Sequence, residues 1–490
     1  MNASVVLDRR RAGILLHPTS LPGANDHGDM GHQAYRFVEF LQAAGISVWQ
    51  TLPLGPTHED RSPYQCLSVH AGNPLLVSMD WLLDRGWLKK SDMRNKKLTD
   101  KKRRQYLSQS YKRFLKAKDD YYQPYLQFLQ QQAYWLDDYA LFIAIRNEQQ
   151  HNGWMFWPAP LRERDGQALT DARERLHDEI KRICFEQFVF FQQWLELKQY
   201  AKRHGIIMFG DMPIFVAHDS AEVWAHREFF SVNEHGEAIK VAGVPPDYFS
   251  ENGQRWGNPL YQWDNIKADN FKWWIDRMRT QLLMFDIVRI DHFRGFEANW
   301  EIPAEEPTAI NGHWVKTPGR ALLKTLHKHF DPLPIIAEDL GIITPEVDAL
   351  RQEFHIPGMK VLQFAFSDDN SNPYLPHNHS ADSVVYTGTH DNDTTLSWYN
   401  DLDDSSRQYT HDYLGDDIED MPWPMIRLAL ASVSGICILP MQDILSLGKG
   451  NRMNVPGTQE GNWCWRFEWD QVAIDLGERL NKLIKTYERN

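Results

Sequence analysis

Acidic residues follow three apolar, strand-like stretches of this chain. Asp291, Glu338 and Asp391 each lie at or just after the end of such a stretch, and they are separated by 47 and 53 residues. Each interval has room for one or two strand–helix units of roughly 30 residues. In a parallel barrel the carboxyl ends of the strands meet at one rim, where barrel enzymes carry their catalytic residues. The spacing therefore predicts three carboxylates gathered at one rim of a parallel barrel.

Arg289 precedes Asp291 by two residues in 285–291, which alternates apolar and charged residues as a strand does. Side chains two apart on a strand point to the same face, so Arg289 and Asp291 should lie side by side. A neighbouring cation lowers the pKa of an aspartate. We therefore expect Arg289 to keep Asp291 ionised, as a carboxylate nucleophile requires. For this stretch alone, a buried structural ion pair is an equally good interpretation.

A carboxylate and a carboxylic acid together are what a retaining glycosidase-type reaction requires. One attacks the anomeric carbon, and the other protonates the leaving oxygen and then deprotonates the incoming acceptor. Asp291 suits the first role, and Glu338 suits the second because burial at a strand end would raise its pKa. Asp391, assisted by His390, would bind sugar hydroxyls and stabilise the oxocarbenium-like transition state. Retention requires the carboxyl groups of Asp291 and Glu338 to lie roughly 5–5.5 Å apart.

The same side chains could instead bind a metal ion, since they offer both oxygen and nitrogen ligands. The candidates for such a site are Asp211, Asp291, His292, Glu338, His390 and Asp391. Barrel hydrolases that use metals usually show a tighter, histidine-rich cluster. Carboxylate chemistry without a metal is therefore the favoured interpretation.

The segment 242–259 has the composition of a carbohydrate-binding loop, with aromatic residues, amides and carboxylates between prolines and glycines. Aromatic faces pack on sugar rings, and amides and carboxylates bind sugar hydroxyls. The candidate binding residues in this segment are Tyr248, Gln254, Trp256 and Asn258. Tyr64, shortly after the second predicted strand, is a further aromatic candidate. Ordinary core packing is the alternative interpretation for all of these aromatic residues.

A strand–helix repeat would position these residues. The predicted strands are Ala12–Pro18, Ile46–Pro53, Ile206–Pro213, 285–291, Pro334–Asp339, Gly358–Phe364, Ser383–Thr387 and Gly435–Pro440. Phe37, Val38 and Leu41 stand at helical spacing between the first two strands. A strand, a helix and a second strand within about 45 residues predict a parallel sheet. Asp211 lies near the end of the third strand.

Two connections are too long for a plain repeat. Residues 73–203 show helical periodicity alone, which predicts an inserted helical subdomain between strands two and three. Residues 212–284 form a second predicted insertion, which contains the substrate-covering loop 242–259. The whole chain, 1–490, is otherwise predicted to be one barrel, although its length alone would allow two or three domains.

Composition restricts the partners. The net charge of −13 argues against nucleic acid or an anionic membrane as the main partner. The four cysteines are far apart and form no CxxC pair, which indicates reduced thiols and a cytoplasmic protein. The sequence shows neither a signal core before its basic N-terminal run nor an apolar stretch long enough to span a bilayer.

The strand ends resemble those of a known enzyme clan. GDMPIFV, VRIDHFRG, AEDLG and TGTHDND are similar to the four strand-end motifs of the α-amylase clan. AGVPPDYFS with GQRWGNPLY resembles one branch, the amylomaltases or disproportionating enzymes (4-α-glucanotransferases). The resemblance covers essentially the whole chain. It implies an α/β fold, namely an interrupted (β/α)8 TIM barrel with inserted subdomains, largely helical between strands 2 and 3, and no C-terminal β-sandwich. Ile214 and Phe215 stand where most α-amylases have a histidine, which disfavours a plain amylase.

The resemblance also implies an activity, the transfer of α-1,4-glucan segments between maltooligosaccharides without a cofactor. It makes Asp291 the nucleophile, Glu338 the acid/base and Asp391 the stabiliser. The residues that it places around the sugar bearing the scissile bond are Tyr64, Asp211, Arg289 and His390. Gln254 and Trp256 match the loop that covers the acceptor subsites. A maltodextrin hydrolase and a non-catalytic glucan-binding protein remain the alternatives.

Overall fold

The computed structural model of the chain describes residues 7, 9–23, 26–93, 98–247, 250–366, 369–415, 419–458 and 460–490. The strands in these ranges are β1 (Arg11–Leu15), β2 (Val48–Gln50), β3 (Ile207–Pro213), β4 (Lys240–Val244), β5 (Gln254–Pro259), β6 (Ile287–Asp291), β7 (Ala298–Pro303), β8 (His313–Lys316), β9 (Ile335–Ala337), β10 (Gly358–Val361), β11 (Ser383–Tyr386) and β12 (Ile436–Pro440). Eight of them form one sheet in the order β10-β11-β12-β1-β2-β3-β6-β9. All neighbours in that sheet run parallel.

The first and last strands of this order, β10 and β9, also approach each other. The N–H of Ala337 donates to the carbonyl of Pro357 at 2.8 Å, and the N–H of Met359 donates to Asp339 Oδ1 at 2.6 Å. The sheet is therefore nearly closed, and the predicted interrupted (β/α)8 barrel is confirmed. All eight predicted barrel strands are present, and most are shorter than predicted because only their central residues pair with neighbours.

Apolar side chains from the eight strands fill the barrel interior. They include Leu15, Val48, Phe209, Ile287, Ile336, Met359, Val361, Val384, Tyr386, Ile436 and Ile438. Because side chains alternate along a strand, Asp211 continues the inward row begun by Phe209 on β3. Arg289 and Asp291 likewise continue the row of Ile287 on β6. The inward rows thus change from apolar to charged as they reach the carboxyl rim.

Helices surround the barrel and fill its long connections. The described residues contain α1 (His32–Ala43), α2 (Met79–Asp84), α3 (Asp100–Ala117), α4 (Tyr122–Glu148), α5 (Ala159–Arg162), α6 (Gly166–Arg175), α7 (His177–Arg203), α8 (Ala221–Ala225), α9 (Trp263–Ala268), α10 (Lys272–Met284), α11 (Gly319–His329), α12 (Pro345–Glu353), α13 (Thr395–Asp401), α14 (Asp404–Leu414), α15 (Trp423–Ala431), α16 (Met441–Ile444) and α17 (Leu476–Thr486). In this part of the chain no helix combines the length and the apolar character needed to cross a membrane.

The connection between β2 and β3 is largely helical, as predicted, and carries α2 to α7. Its contacts with neighbouring segments include two buried polar contacts. The side-chain amide of Gln187 on α7 both donates to the carbonyl of Gly72 and accepts from its N–H, each at 2.9 Å. Arg103 on α3, which is fully buried, donates to Asp29 at 2.8 Å. These contacts fix the helices against the segment that follows β2 and the loop that follows β1.

A second, antiparallel sheet was not predicted from the sequence. Its order is β5-β4-β7-β8, so it takes strands from two connections, β3 to β6 and β6 to β9. Both ends of the segment 242–259, predicted to be a loop, are therefore paired strands, residues 242–244 of β4 and 254–259 of β5. The prolines and glycines of this segment are typical of turns and disfavour a strand prediction. Gly243 nevertheless lies on β4. The position requires glycine, because a Cβ there would stand 2.2 Å from the carbonyl oxygen of Gln254 on β5.

Candidate active site

Arg289 joins two carboxylates at the rim of the barrel. Its guanidinium donates through Nη1 to Asp211 Oδ2 at 2.5 Å and through Nη2 to Asp291 Oδ1. The hydroxyl of Tyr64 donates to the same Asp211 oxygen at 2.7 Å. Arg289 and Asp211 are buried, while the side chain of Asp291 is 29% exposed. Of the two carboxylates, Asp291 is therefore the more exposed.

Glu338 is held beside Asp291 by the turn that follows β6. The N–H of His292 donates to Glu338 Oε2 at 2.7 Å, and the N–H of Leu340 donates to Oε1 at 2.9 Å. The N–H of Phe293 donates to the main-chain carbonyl of Glu338 at 3.1 Å. One turn thus connects the strand end that carries Asp291 with the one that carries Glu338.

Asp391 and His390 complete the same site from the end of β11. His390 Nε2 lies 3.3 Å from Asp391 Oδ1, and the side-chain amide of Asn454 donates to that oxygen at 2.7 Å. The His390 ring stacks on Tyr64 with 5.0 Å between ring centroids. The Tyr64 hydroxyl lies 3.5 Å from His390 Nδ1 and also bonds Asp211, so polar contacts run from Asp391 to Asp291.

The pKa of Asp291 corrects one expectation. Burial raises the pKa of Asp291 to about 7; Arg289 lowers it, but the negative charges of Asp211 and Glu338 raise it again. Arg289 therefore lowers this pKa, as predicted, but the expectation that it would be enough to keep Asp291 ionised is wrong. One guanidinium is shared between two carboxylates, so it does not offset the desolvation of Asp291.

Glu338 and Asp391 are shifted in opposite directions. Burial raises the pKa of Glu338, as predicted, although Arg289 and the N–H groups of Leu340 and His292 oppose the shift. Desolvation would also raise the pKa of Asp391, but His390 and the hydrogen bond from Asn454 outweigh it and lower this pKa. Carboxyl groups whose pKa values diverge in this way are suited to acid and anionic roles within one site.

The second sheet brings Trp256 to the rim. The Trp256 indole packs edge-to-face against His292, with 4.8 Å between ring centroids, and its N–H donates to Gln254 Oε1 at 3.1 Å. Asn258 on the same strand is buried and exchanges two hydrogen bonds with the Gln65 amide at 3.1 and 3.3 Å. Asn258 therefore supports the loop that carries Tyr64. The remaining candidate in this segment, Tyr248, lies outside the described residues.

Three residues from the segment after β12 also belong to the site but were not predicted. Besides Asn454, Arg452 donates to the main-chain carbonyl of Asp391 at 2.7 Å. Trp463 packs against both Tyr64 and His390, with centroids 5.7 and 5.9 Å away. The segment 451–465 shares its mixture of Asn, Pro, Gly and Trp with 242–259, and that composition is the signal that could have identified it.

Comparison with known proteins agrees with this geometry. The family model described as 4-alpha-glucanotransferase matches residues 16–472. The 4-alpha-glucanotransferase of Thermus thermophilus is 47% identical, with 98% of this chain and 99% of the relative covered. That of Synechocystis sp. is 48% identical, with 99% of each chain covered. An amylomaltase from Streptococcus agalactiae in complex with acarbose has a TM-score of 0.94 at 37% identity, covering 98% of this chain and 100% of that one. The family match extends over nearly the whole chain, and we conclude that the chain belongs to the 4-alpha-glucanotransferase family.

Proposed function

We propose that this 4-alpha-glucanotransferase moves α-1,4-glucan segments from a donor maltooligosaccharide to the 4-OH of an acceptor glucose or maltooligosaccharide. The reaction proceeds through a covalent glycosyl-enzyme with retention. The observation that carries this proposal is the pairing of Asp291 and Glu338 across one turn, with Arg289 bonded to the first and two N–H groups to the second.

In the first step Asp291 acts as the nucleophile. Its carboxylate attacks the anomeric carbon while the bond from that carbon to the glycosidic oxygen breaks. Glu338, whose pKa is raised by burial, donates its proton to the departing oxygen. Arg289 holds Asp291 Oδ1 and thereby orients the carboxylate for attack.

In the second step Glu338 acts as the base. It takes the proton of the acceptor 4-OH while that oxygen attacks the anomeric carbon and the bond to Asp291 breaks. The N–H groups of His292 and Leu340 stabilise the carboxylate that Glu338 becomes between the two steps. Two inversions at one carbon give net retention.

The surrounding residues bind the sugar that carries the scissile bond. We assign Tyr64, Asp211, Arg289 and His390 to this sugar, with Asp391 stabilising the positive charge that develops at its ring. A lowered pKa keeps Asp391 anionic throughout. A cavity of about 850 Å³ lies beside this site; Pro63 of the Tyr64 loop and Trp463 line it, and the three carboxylates do not.

On the acceptor side, we assign sugar binding to Gln254 and Trp256, with Tyr248 in the same segment. Asn258, also predicted to bind sugar, acts instead by supporting the loop of Tyr64 through Gln65. The carboxylates account for the chemistry, so the proposal includes no metal and no cofactor. Residues 73–203 and 212–284 are assigned as insertions into one barrel, 1–490. A cytoplasmic location is supported by the four cysteines, which are free thiols, as expected in a reducing compartment.

Incubation with pure maltotriose tests the activity. Transfer yields glucose together with chains longer than maltotriose, while the total number of reducing ends stays constant. A maltodextrin hydrolase would shorten the chains and increase the number of reducing ends. Shortening alone, without longer products, would reject the proposal.

Variants of the two carboxylates test the mechanism. Asp291→Asn should lower kcat by about 10⁴-fold or more while still binding maltooligosaccharides. Glu338→Gln should lose turnover of maltotriose but still react with an α-maltosyl fluoride, because fluoride leaves without protonation. The glycosyl-enzyme then accumulates, and peptide mass spectrometry should locate the sugar on Asp291. Attachment to another residue would reject this assignment.

A further inference from the structure

His292, the residue after Asp291, donates its N–H to Glu338, and the proposed mechanism does not use its side chain. Its backbone has φ 56° and ψ 50°, the left-handed region that is uncommon for residues other than glycine, asparagine and aspartate. This conformation occurs in the turn that directs the N–H groups of His292 and Phe293 to one residue, Glu338. Backbone outliers of this kind concentrate at functional sites.

The His292 ring belongs to an aromatic cluster that joins β5 to the barrel. It packs edge-to-face against Trp256 at 4.8 Å and lies 6.1 Å from Phe215. Phe215 in turn lies 6.2 Å from Trp256. One residue therefore contacts Glu338 through its backbone and Trp256 through its side chain.

The ring contributes by packing rather than by charge. Burial, together with Arg294, lowers the pKa of His292 to about 3, so the imidazole is neutral near pH 7. Its Nε2 is buried and has no hydrogen-bond partner among the described residues. A neutral imidazole with an unused nitrogen acts here as an aromatic ring.

We propose that His292 is a positioning residue that keeps Trp256 closed over the acceptor side of Glu338 and so limits the access of water to the glycosyl-enzyme. The inference rests on the transfer reaction proposed above. Glu338 deprotonates whichever hydroxyl lies beside it, and a loosened Trp256 admits water in place of a sugar. His292 thereby sets the ratio of transfer to hydrolysis.

Two substitutions distinguish the contribution of the left-handed turn from that of the aromatic ring. His292→Asn keeps a residue that tolerates the left-handed conformation but removes the aromatic ring. His292→Phe keeps the aromatic packing and removes both nitrogens. Each protein is incubated with maltotriose. The rise in total reducing ends measures hydrolysis, because transfer leaves their number unchanged. The loss of maltotriose measures hydrolysis and transfer together, and the ratio of the two quantities is the hydrolysed fraction.

His292→Asn should raise the hydrolysed fraction by about three- to tenfold, the factor that an aromatic pair contact is worth. His292→Phe should stay within about twofold of the wild type. Trp256→Ala should raise the hydrolysed fraction by a similar factor. The double variant His292→Asn/Trp256→Ala should raise it no further, because both substitutions remove the same contact. His292→Gly, which fits the turn without strain, provides a second ring-free variant, and thermal unfolding shows which variants are folded.

An unchanged hydrolysed fraction in folded His292→Asn and His292→Gly overturns the inference, as does an additive increase in the double variant. A purely structural role would lower kcat for both reactions equally and leave the fraction unchanged. If the wild-type protein forms no longer chains at all, the proposed function fails instead. The two failures are therefore distinguishable in one assay.

Discussion

Carboxylates outnumber cations at the centre of the site. Arg289 is bonded to Asp211 and Asp291, and Glu338 adds a third negative charge nearby. Burial and this excess raise the pKa of both Asp291 and Glu338. The pair therefore tends to retain one proton near neutral pH, which is the state that a nucleophile and an acid require together.

The pH dependence of kcat/KM should report this excess charge. The proposed nucleophile must be ionised in the free enzyme, so activity is lost as the pH falls through the raised pKa of Asp291, about 7. Asp211 raises that pKa, so Asp211→Asn should move the acid limb of the profile to lower pH. The measurement is kcat/KM for maltotriose between pH 4 and pH 9.

The exposed Asp401→Asn serves as the control and should leave the profile unchanged. Asp211→Asn also weakens sugar binding, but that loss lowers the whole curve without moving its midpoint. A midpoint that stays in place or rises in Asp211→Asn contradicts the proposed charge coupling.

Elements from separate connections support each other at the rim. The amides of Gln65 and Asn258 exchange two hydrogen bonds and thereby join the loop of Tyr64 to β5. Trp256 lies two residues before Asn258 on that strand. A single amide pair thus links the loop of Tyr64 to the strand that carries Trp256.

Removal of this amide pair should loosen both sides of the site. Asn258→Ala should lower the free energy of unfolding by about 1–3 kcal/mol, because it leaves the Gln65 amide without partners, and should raise KM for maltotriose. Gln65→Ala should have a similar effect, and the double variant should lose little more than either single variant. Urea unfolding and initial rates provide both measurements.

Gln167→Ala, an exposed amide on α6, is the matched control and should change neither quantity. Fully additive losses of stability in the Asn258→Ala and Gln65→Ala double variant would show that the two amides act independently.

At the scale of the molecule, the two ends of the described chain meet where β1 pairs with β12. The fully buried guanidinium of Arg489 donates to the carbonyls of Leu430, Ser432 and Arg11 at 2.6, 2.6 and 3.1 Å. Arg11 begins β1, so this contact lies at the amino end of the barrel. Contacts at this end of a barrel contribute to stability, whereas the reaction is proposed for the carboxyl rim.

Arg489→Met should therefore reduce stability without reducing catalysis. The carbonyl of Arg11 loses this donor, whereas those of Leu430 and Ser432 keep Arg10 as a donor, so the loss should be about 1–3 kcal/mol. The kcat of the folded fraction should remain within about twofold of the wild type, because the reaction takes place at the opposite end of the barrel. Thermal unfolding and active-site titration with the maltosyl fluoride measure the two quantities, with the exposed Lys482→Ala as control. An equal loss of kcat per folded molecule would contradict this separation.

The sequence by itself determined the barrel strands and the acidic residues at their ends. Both are local patterns, since alternation and turn residues can be recognised within about ten positions. It therefore predicted Asp291 and Glu338 at the ends of neighbouring barrel strands, and the helices between β2 and β3. The same patterns indicated Tyr64 and His390, and the resemblance of the motifs to a known family placed these two residues around one sugar.

Only the tertiary structure decided which charges share a partner and which distant segments complete the site. The pKa of Asp291 depends on Asp211, 80 residues away in the sequence, and on burial that no local pattern reveals. The second sheet draws its strands from two connections, and Asn454 reaches Asp391 from beyond the last barrel strand. Such contacts depend on how the chain closes on itself, because electrostatic and packing energies follow distance in space rather than along the sequence.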